Sequence, residues 1–132
     1  MTRPVVPDSH EDLLTRPLFC HLGTVRHDGA PQVNPMWVLW EDGDLSFTTS
    51  TTRVKYHNLQ RDNRVSVSLN DPEQPYRFLE VRGRVHRIVP DPDGVFFRRL
   101  ATRYGRELHG TLPPDVATRV RLVIRPEVAR WQ

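Results

Sequence analysis

Residues 64–89, RVSVSLNDPEQPYRFLEVRGRVHRIV, decide which fold this chain adopts. The first seven residues alternate polar and apolar side chains, which places both valines and Leu69 on one face of a half-buried β-strand. A loop rich in proline and acid follows over residues 71–75, and residues 76–89 are typical of a second, longer strand. The apolar pattern of the second strand changes phase around Gly83, which predicts a β-bulge at that glycine. The stretch therefore predicts a sheet-based fold.

The segments on either side continue the pattern of strands joined by turns. Residues 18–26 and 32–41 are separated by an Asp-Gly turn, and a second Asp-Gly turn precedes a strand over residues 45–49. A last strand is predicted over residues 118–124, followed by a short tail through Trp131.

Three short helices are expected, near residues 9–15, 52–61 and 91–105. About six strands at hairpin-like spacing, without internal repeats, favour a small antiparallel barrel over a βαβ sheet. We therefore expect one mainly β domain over residues 1–132, a six-stranded antiparallel β-barrel with short peripheral helices.

The composition excludes several classes of protein. Hydrophobic residues make up 37% of the 132 residues, and no run of 18 apolar residues predicts a membrane span. The N-terminal segment has no apolar core of a secretory signal. Cys20 is the single cysteine, which forbids an internal disulfide and fits a reducing cytosol, so we expect a cytoplasmic protein.

The net charge of +3 would permit nucleic-acid binding, but the arginines are spread from Arg3 to Arg130 and are interleaved with acids. A nucleic-acid binder usually has a concentrated basic face or a known module, and the sequence contains no such module. We therefore expect no nucleic-acid partner.

Residues 47–59, FTTSTTRVKYHNL, form the best candidate site. A strand end passes directly into a helix, and Ser50 and Thr51 are residue types that cap a helix N-terminus. The unpaired N–H groups and the positive dipole of such an end attract anions. Arg53 and Lys55 would add a bidentate fork and a compact charge. Together these features predict a phosphate cradle.

The alternative is a basic surface helix that binds no anion, which is common after a strand. One fact favours the cradle: Lys55 is the only lysine, and the other basic side chains of fixed charge are arginines. A lone lysine inside the candidate site suggests that a compact ammonium group is needed there.

The strand over residues 32–41 contains Pro35, which lacks an N–H and must lie at an edge or a bulge. Backbone groups freed at such an irregularity can bind a ligand, and Trp37 or Trp40 would offer a flat apolar surface beside them. For Trp40 we favour a role in the core, whereas both interpretations stay open for Trp37.

Three motifs in combination identify a family resemblance: R-x-K-x-x-N-L over residues 53–59, R-D-x-R-V-S over 61–66 and P-Y-R-F-L-E-V-R-G over 75–83. The chain resembles the flavin and deazaflavin split-barrel proteins related to pyridoxamine 5′-phosphate oxidase, and most of all the branch that uses the deazaflavin coenzyme F420. The similarity extends from about Leu18 to Val89 and less distinctly to the last strand.

The resemblance implies a homodimer of six-stranded split β-barrels (the FMN-binding split barrel) with cofactor sites at the subunit interface. It places the phosphate-binding positions in the predicted cradle and the cofactor ring against the strand that contains Trp37. It also adds a segment that reaches the cofactor from the same subunit or from the partner subunit. The implied cofactor-binding residues are Asn34, Met36, Trp37, Val38, Thr48, Thr49, Ser50, Arg53, Val54, Lys55, Asn58, Tyr76, Arg77 and Phe78.

The sequence departs from the oxidase itself, because the Arg-x-His arrangement that binds the oxidase substrate is missing after the last strand. The expected cofactor is F420, with FMN as the alternative, since both carry a phosphate near a tricyclic ring. The longer anionic tail of F420 would use an extended basic groove, for which Arg26, Arg61, Arg64 and Arg77 are candidates.

The resemblance implies a reductase in which reduced F420 gives a hydride to a conjugated small-molecule substrate. His57, Tyr76 or ordered water are candidate proton sources, and no side chain is assigned as catalytic. The alternatives are an FMN-dependent oxidase or reductase and a carrier that binds a flavin or deazaflavin without turnover. No metal is expected.

Overall fold

Seven β-strands and three short α-helices make up most of the regular structure in this computed structural model, which describes residues 4–106 and 108–132. The strands are β1 (Cys20–Val25), β2 (Pro31–Met36), β3 (Leu39–Glu41), β4 (Asp44–Ser50), β5 (Arg64–Asp71), β6 (Gln74–Pro90) and β7 (Arg119–Trp131). The helices are α1 (Asp12–Thr15), α2 (Val54–Arg61) and α3 (Val95–Arg103), and two 3₁₀ turns cover Asp8–His10 and Val116–Thr118.

All strands join one antiparallel sheet in the order β2-β1-β5-β6-β7-β4-β3, which confirms the predicted mainly β antiparallel fold. The two edge strands, β2 and β3, are neighbours in the chain and are joined only by Trp37 and Val38. A link of this length spans at most roughly 11 Å, so the sheet must curl until its two edges approach each other. The result is a barrel with an open seam between β2 and β3.

The prediction of one continuous strand over residues 32–41 is wrong, and this is why the sheet has seven strands instead of six. β2 pairs with β1, whereas β3 pairs with β4 at the other edge. The chain breaks at Val38, whose side chain is fully buried and whose N–H and C=O groups bond to Tyr104 and Arg103 of the α3 region. The edge position predicted for Pro35 is confirmed.

The bulge predicted at Gly83 is confirmed by a register shift in the β6–β7 pairing between Arg82 and Gly83. A Cβ atom at Gly83 would lie 2.1 Å from the carbonyl oxygen of Arg125, so only glycine fits this close approach of two strands. The predicted end of the last strand is too early, because β7 continues as a paired strand to Trp131, opposite Leu79.

The hydrophobic core lies inside the curled sheet. The alternation predicted for β5 is confirmed, since Val65, Val67 and Leu69 are all buried. Phe47 of β4 is fully buried in the same core, and Leu13 of α1 closes one end of it. The core therefore fixes which face of each strand points outward, including the end of β4 that enters the candidate site.

The helix predicted over residues 91–105 is shorter, and its start was misplaced. Gly94 adopts a left-handed conformation with φ of 70°, which keeps the preceding residues out of the helix. The carboxylate of Asp91 accepts hydrogen bonds from the N–H groups of Phe96 and Phe97, each at 3.0 Å, so it satisfies donors of the first helical turn from outside the helix.

Across the described residues, the helices are too short and too polar to span a bilayer.

Candidate functional site

The candidate site begins where β4 ends and α2 starts. The helix starts at Val54 instead of residue 52, and the preceding residue, Arg53, is extended with φ of −87° and ψ of 149°. No side chain caps this end within the described part of the chain, so the predicted capping roles of Ser50 and Thr51 are wrong. The N–H groups of the first turn are thus left for another acceptor.

Ser50 has a different structural role. Its hydroxyl lies 2.7 Å from the hydroxyl of Thr118 and 2.9 Å from that of Thr52, and it accepts a bond from the Thr52 N–H at 3.3 Å. Ser50 is fully buried. These hydrogen bonds connect the turn before α2 to the residue that precedes β7.

Three cationic side chains gather beside this turn: Arg53, Lys55 and Arg119. Lys55 is half-buried, and burial lowers the pKa of its ammonium group, with further lowering by the nearby positive charges of Arg53 and Arg119. Among residues 4–106 and 108–132, neither Arg53 nor Lys55 forms an ion pair, while Arg119 bonds to Asp115 at 3.1 Å. We call these three residues the cation cluster.

Thr48, on strand β4, has a side-chain hydroxyl without a hydrogen-bond partner in the described residues. Its side chain is 8% exposed, and its Oγ1 is buried. β4 pairs with β7 so that Thr48 opposes Arg121 and Ser50 opposes Arg119, which places these four side chains on one face of the sheet. Thr49 opposes Val120 and lies on the other face, so the two threonine hydroxyls diverge.

A cleft of about 480 Å³ opens at the cation cluster, lined by Thr52, Arg53, Pro113, Pro114, Asp115 and Arg119. Arg53 and Arg119 supply hydrogen-bond donors and positive charge at this cleft, whereas the buried hydroxyl of Thr48 is not part of its lining. The uncapped helix start supplies further donors. These features fit a bound phosphate group better than they fit a neutral ligand.

Aromatic rings connect this cleft to the barrel seam. The guanidinium carbon of Arg119 lies 5.0 Å from the ring centre of Phe97, whose ring centre is 5.9 Å from that of Trp37. Trp37 also stacks on Tyr104, at 5.4 Å and an interplanar angle of 16°. Trp37 thus belongs to a partly exposed aromatic row that ends at the cation cluster, whereas Trp40 packs against the core, as favoured, and donates to Glu11 at 2.9 Å.

The other predicted site residues near the seam have varied environments. Asn58 is buried, and its amide donates to the hydroxyl of Thr24 and the side-chain oxygen of Gln32, each at 3.1 Å. These bonds attach α2 to β1 and β2. Asn34 accepts from Gln32 at 3.1 Å. Met36 is partly buried against the core, Val38 is fully buried and Val54 is exposed.

The predicted segment with Tyr76, Arg77 and Phe78 lies at the start of β6. Arg77 donates to Asp12 at 2.6 Å and to Asp71 at 3.4 Å, so its contacts are with α1 and β5 and not with the cleft. Tyr76 is 86% exposed and Phe78 is partly buried. Their role at a cofactor stays a prediction, since it was expected to operate across a subunit interface.

The remaining arginines proposed for a basic groove are engaged elsewhere. Arg26 and Arg64 pair with Asp28 and Asp62, and Arg61 donates to a backbone carbonyl of β1 at 2.7 Å. Those contacts leave Arg53 and Arg119 as the arginines that line the cleft.

Sequence reasoning missed Arg119 and Asp115. They lie more than 60 residues from Arg53, and only the register of β4 with β7 brings them to the same cleft. The alternation of arginine and apolar residues at the start of β7 indicated an outward-facing row of charges, but it did not indicate which strand would lie beside them.

Within the described residues, no group of three or more His, Cys, Asp or Glu side chains is arranged to hold a metal ion.

The chain matches a known protein family and is similar to several solved structures. The family model described as pyridoxamine 5′-phosphate oxidase matches residues 6–132. A solved structure described as an F420 reductase is 50% identical, with a TM-score of 0.91, over 95% of this chain and 98% of that chain. No match was found among curated proteins.

Two more distant solved structures share the architecture. A conserved hypothetical protein from Mycobacterium tuberculosis is 25% identical with a TM-score of 0.75, over 99% of this chain and 88% of that chain. General Stress Protein 26 from Bacillus anthracis is 22% identical with a TM-score of 0.69, over 91% of this chain and 88% of that chain, which shows a common fold.

Proposed function

The chain belongs to the pyridoxamine 5′-phosphate oxidase family, and on that basis we propose that it is an F420-dependent reductase of a conjugated organic substrate. The observation that carries this proposal is the excess of positive charge at the cation cluster beside the uncapped start of α2, where the family resemblance expects a cofactor phosphate. The 50% identity to a protein described as an F420 reductase supports the choice of deazaflavin.

In this proposal Arg53 and Lys55 hold the phosphate through charge-assisted hydrogen bonds. Arg119 adds a third positive charge from β7. Binding an anion also removes the electrostatic penalty of half-burying Lys55 between two arginines, because the anion neutralises that repulsion.

The aromatic row suits the ring end of the same ligand. Trp37 and Phe97 provide apolar surface next to Arg119, so a molecule with a phosphate and a conjugated ring would find both environments in contact. When bound, reduced F420 would supply a hydride equivalent to the substrate. The protein side chains orient the cofactor and limit the access of water.

We also propose that the active form is a cytoplasmic homodimer with its cofactor sites at the subunit interface. Large apolar side chains support this proposal, since Tyr76 is 86% exposed, Phe19 is 64% exposed and Trp131 is 49% exposed. A second copy that covers them would bury apolar surface and bring Tyr76 towards a neighbouring site.

The deciding experiment is a fluorescence titration of the purified protein with F420 and, separately, with FMN. We expect micromolar or tighter binding of F420 and much weaker binding of FMN, followed by oxidation of reduced F420 when a suitable conjugated acceptor is added. Preference for FMN would move the protein to the flavin-dependent side of the family, and binding of neither cofactor would contradict the proposal.

A further inference from the structure

Among the residues that the structure describes, Asp115 is the acidic side chain that lines the cleft at the cation cluster. Its carboxylate accepts a hydrogen bond from Nε of Arg119 at 3.1 Å, and the two side chains are 28% and 14% exposed, respectively. The ring of Phe97 packs against the same guanidinium, with 5.0 Å between the ring centre and the guanidinium carbon. Asp115 and Phe97 thus hold Arg119 in one orientation at the wall of the cleft.

The charges around the cleft have a simple balance. Among the described residues, Arg53 and Arg119 line the cleft, and Lys55 lies close enough for their charges to lower its pKa. The carboxylate of Asp115 opposes the charge of Arg119. A phosphate bound there is attracted by the cations and repelled by Asp115. Because the Coulomb energy is proportional to the charge of the ligand, a doubly charged phosphate is repelled by this carboxylate about twice as strongly as a singly charged one.

The two candidate cofactors differ in this respect. The phosphate of FMN is a monoester, which carries a charge of about −1.5 to −2 at neutral pH because its second pKa is near 6. The phosphate of F420 is a diester and carries a single negative charge at that position. A fixed carboxylate in the wall therefore weakens binding of the monoester more than binding of the diester.

We propose that Asp115 shifts the charge selectivity of this cleft towards phosphodiesters, because its carboxylate offsets part of the attraction by which the cations favour a doubly charged phosphomonoester. The inference rests on the proposed function, because it assumes that the cofactor phosphate occupies the cleft. It adds that an acidic residue on the α3–β7 connection, outside the strand and helix that carry the cradle, reduces the advantage that FMN would gain from its higher phosphate charge.

The test compares wild type with Asp115→Asn for two ligands that differ in phosphate charge by a single methyl esterification: FMN and its phosphate methyl ester. Affinities are measured by fluorescence titration at pH 8 and physiological salt, with F420 as a third ligand. We expect Asp115→Asn to strengthen FMN binding roughly threefold to tenfold more than it strengthens binding of the methyl ester or F420.

Two controls separate charge selection from a structural effect. Asp115→Glu keeps the charge and should keep the wild-type ratio of affinities. Asp42→Asn removes the same charge from the exposed β3–β4 turn, where asparagine tolerates the observed φ of 56°, and should also keep that ratio. Thermal unfolding of each variant confirms that it is folded, and Asp115→Ser replaces Asp115→Asn if the latter is not.

The outcomes distinguish the two proposals. If wild type binds F420 and the neutral variant changes the affinities of FMN and its methyl ester by the same factor, charge selection by Asp115 is wrong while the proposed function stands. If wild type binds none of the three ligands, the proposed function fails and the inference fails with it.

Discussion

The hydroxyl of Tyr104 joins the barrel seam to the end of α3 by accepting a hydrogen bond from the backbone N–H of Val38 at 3.0 Å. The same hydroxyl donates to the carbonyl of Leu18 at 2.7 Å. Val38 lies in the two-residue link between the edge strands, and its neighbour Trp37 stacks on the Tyr104 ring. One tyrosine therefore holds both the backbone of the link and the aromatic surface beside it.

Replacing Tyr104 with phenylalanine should destabilise the fold, because the buried N–H of Val38 loses its partner. We expect a decrease of about 1–3 kcal/mol in the free energy of unfolding, measured by urea denaturation. Tyr76→Phe is the matched control and should have little effect on stability, since that side chain is 86% exposed. Equal stability of Tyr104→Phe and wild type would show that the hydrogen bond is dispensable.

Replacing Lys55 with methionine should stabilise the free protein at pH 7 and weaken anion binding. The pKa of Lys55 is lowered from 10.5 in the folded protein, mainly by burial, so folding disfavours its charged form. Methionine fills similar volume without the charge and has a similar helix propensity. Lys55→Arg keeps the charge and should show no such gain in stability.

The pH dependence of this effect has a definite sign. Below the folded-state pKa the charged ammonium group costs stability, and this cost disappears as pH rises through that pKa towards 10.5. The advantage of Lys55→Met in Tm should therefore be largest near pH 7 and should narrow as pH approaches 10.5. A constant difference across this range would contradict the burial of a charged Lys55.

Replacing Arg77 with methionine should lower stability at neutral pH and reduce the sensitivity to acid. Arg77 lowers the pKa of Asp12 chiefly through their hydrogen bond, and it also contributes to lowering the pKa of Asp71. Stabilisation from a carboxyl group with a lowered pKa is present above its ordinary pKa and is lost as pH falls through the folded-state value. The Tm difference between wild type and Arg77→Met should stay constant from pH 7 to about pH 4 and should shrink as pH falls further below the ordinary carboxyl pKa of 3.8.

Asp62 allows a control for the acid experiment. Its pKa is lowered to about 2, first by the side chain of Arg64, but this pair is exposed and local to one turn. Arg64→Met should change Tm less than Arg77→Met does, because Arg77 connects three segments of the chain and Arg64 connects neighbouring residues. The opposite order would show that the Arg77 network is not a tertiary link.

Replacing Gly83 with alanine should be strongly destabilising. The new Cβ would lie 2.1 Å from the carbonyl oxygen of Arg125, so β6 and β7 would have to move apart at the bulge. Overpacking of this kind typically costs roughly 1–3 kcal/mol or more. Gly23→Ala is the control within the same sheet, since its Cβ would meet no atom closer than 3.4 Å, and denaturant unfolding compares the two variants.

The sequence predicted the parts of the fold that depend on local patterns. The alternation in residues 64–70 predicted β5 and its buried face, and the change of phase at Gly83 predicted the bulge. The turn at Asp42 and Gly43 was also predictable, because both residues adopt the positive φ angles that a two-residue hairpin turn requires. These features were predictable because backbone preference and side-chain periodicity depend on residues that are close together in the sequence.

The sequence also located the candidate site, but only in part. Arg53 and Lys55 could be selected because a strand, a helix start and a lone lysine lie within one short stretch. The capping roles of Ser50 and Thr51 were predicted wrongly, because Ser50 bonds instead to Thr118, 68 residues away. A hydroxyl group can form a hydrogen bond with any partner that folding brings near it. Residues that are close in sequence are only a small fraction of those partners.

Tertiary structure alone decided the rest. The break between β2 and β3 follows from the burial of Val38 and its bonds to Tyr104 and Arg103, which come from a distant helix. Arg119 and Asp115 reach the cleft because β4 and β7 pair in one particular register. Strand pairing and charge proximity depend on how the whole core packs, and no local pattern in the sequence specifies that arrangement.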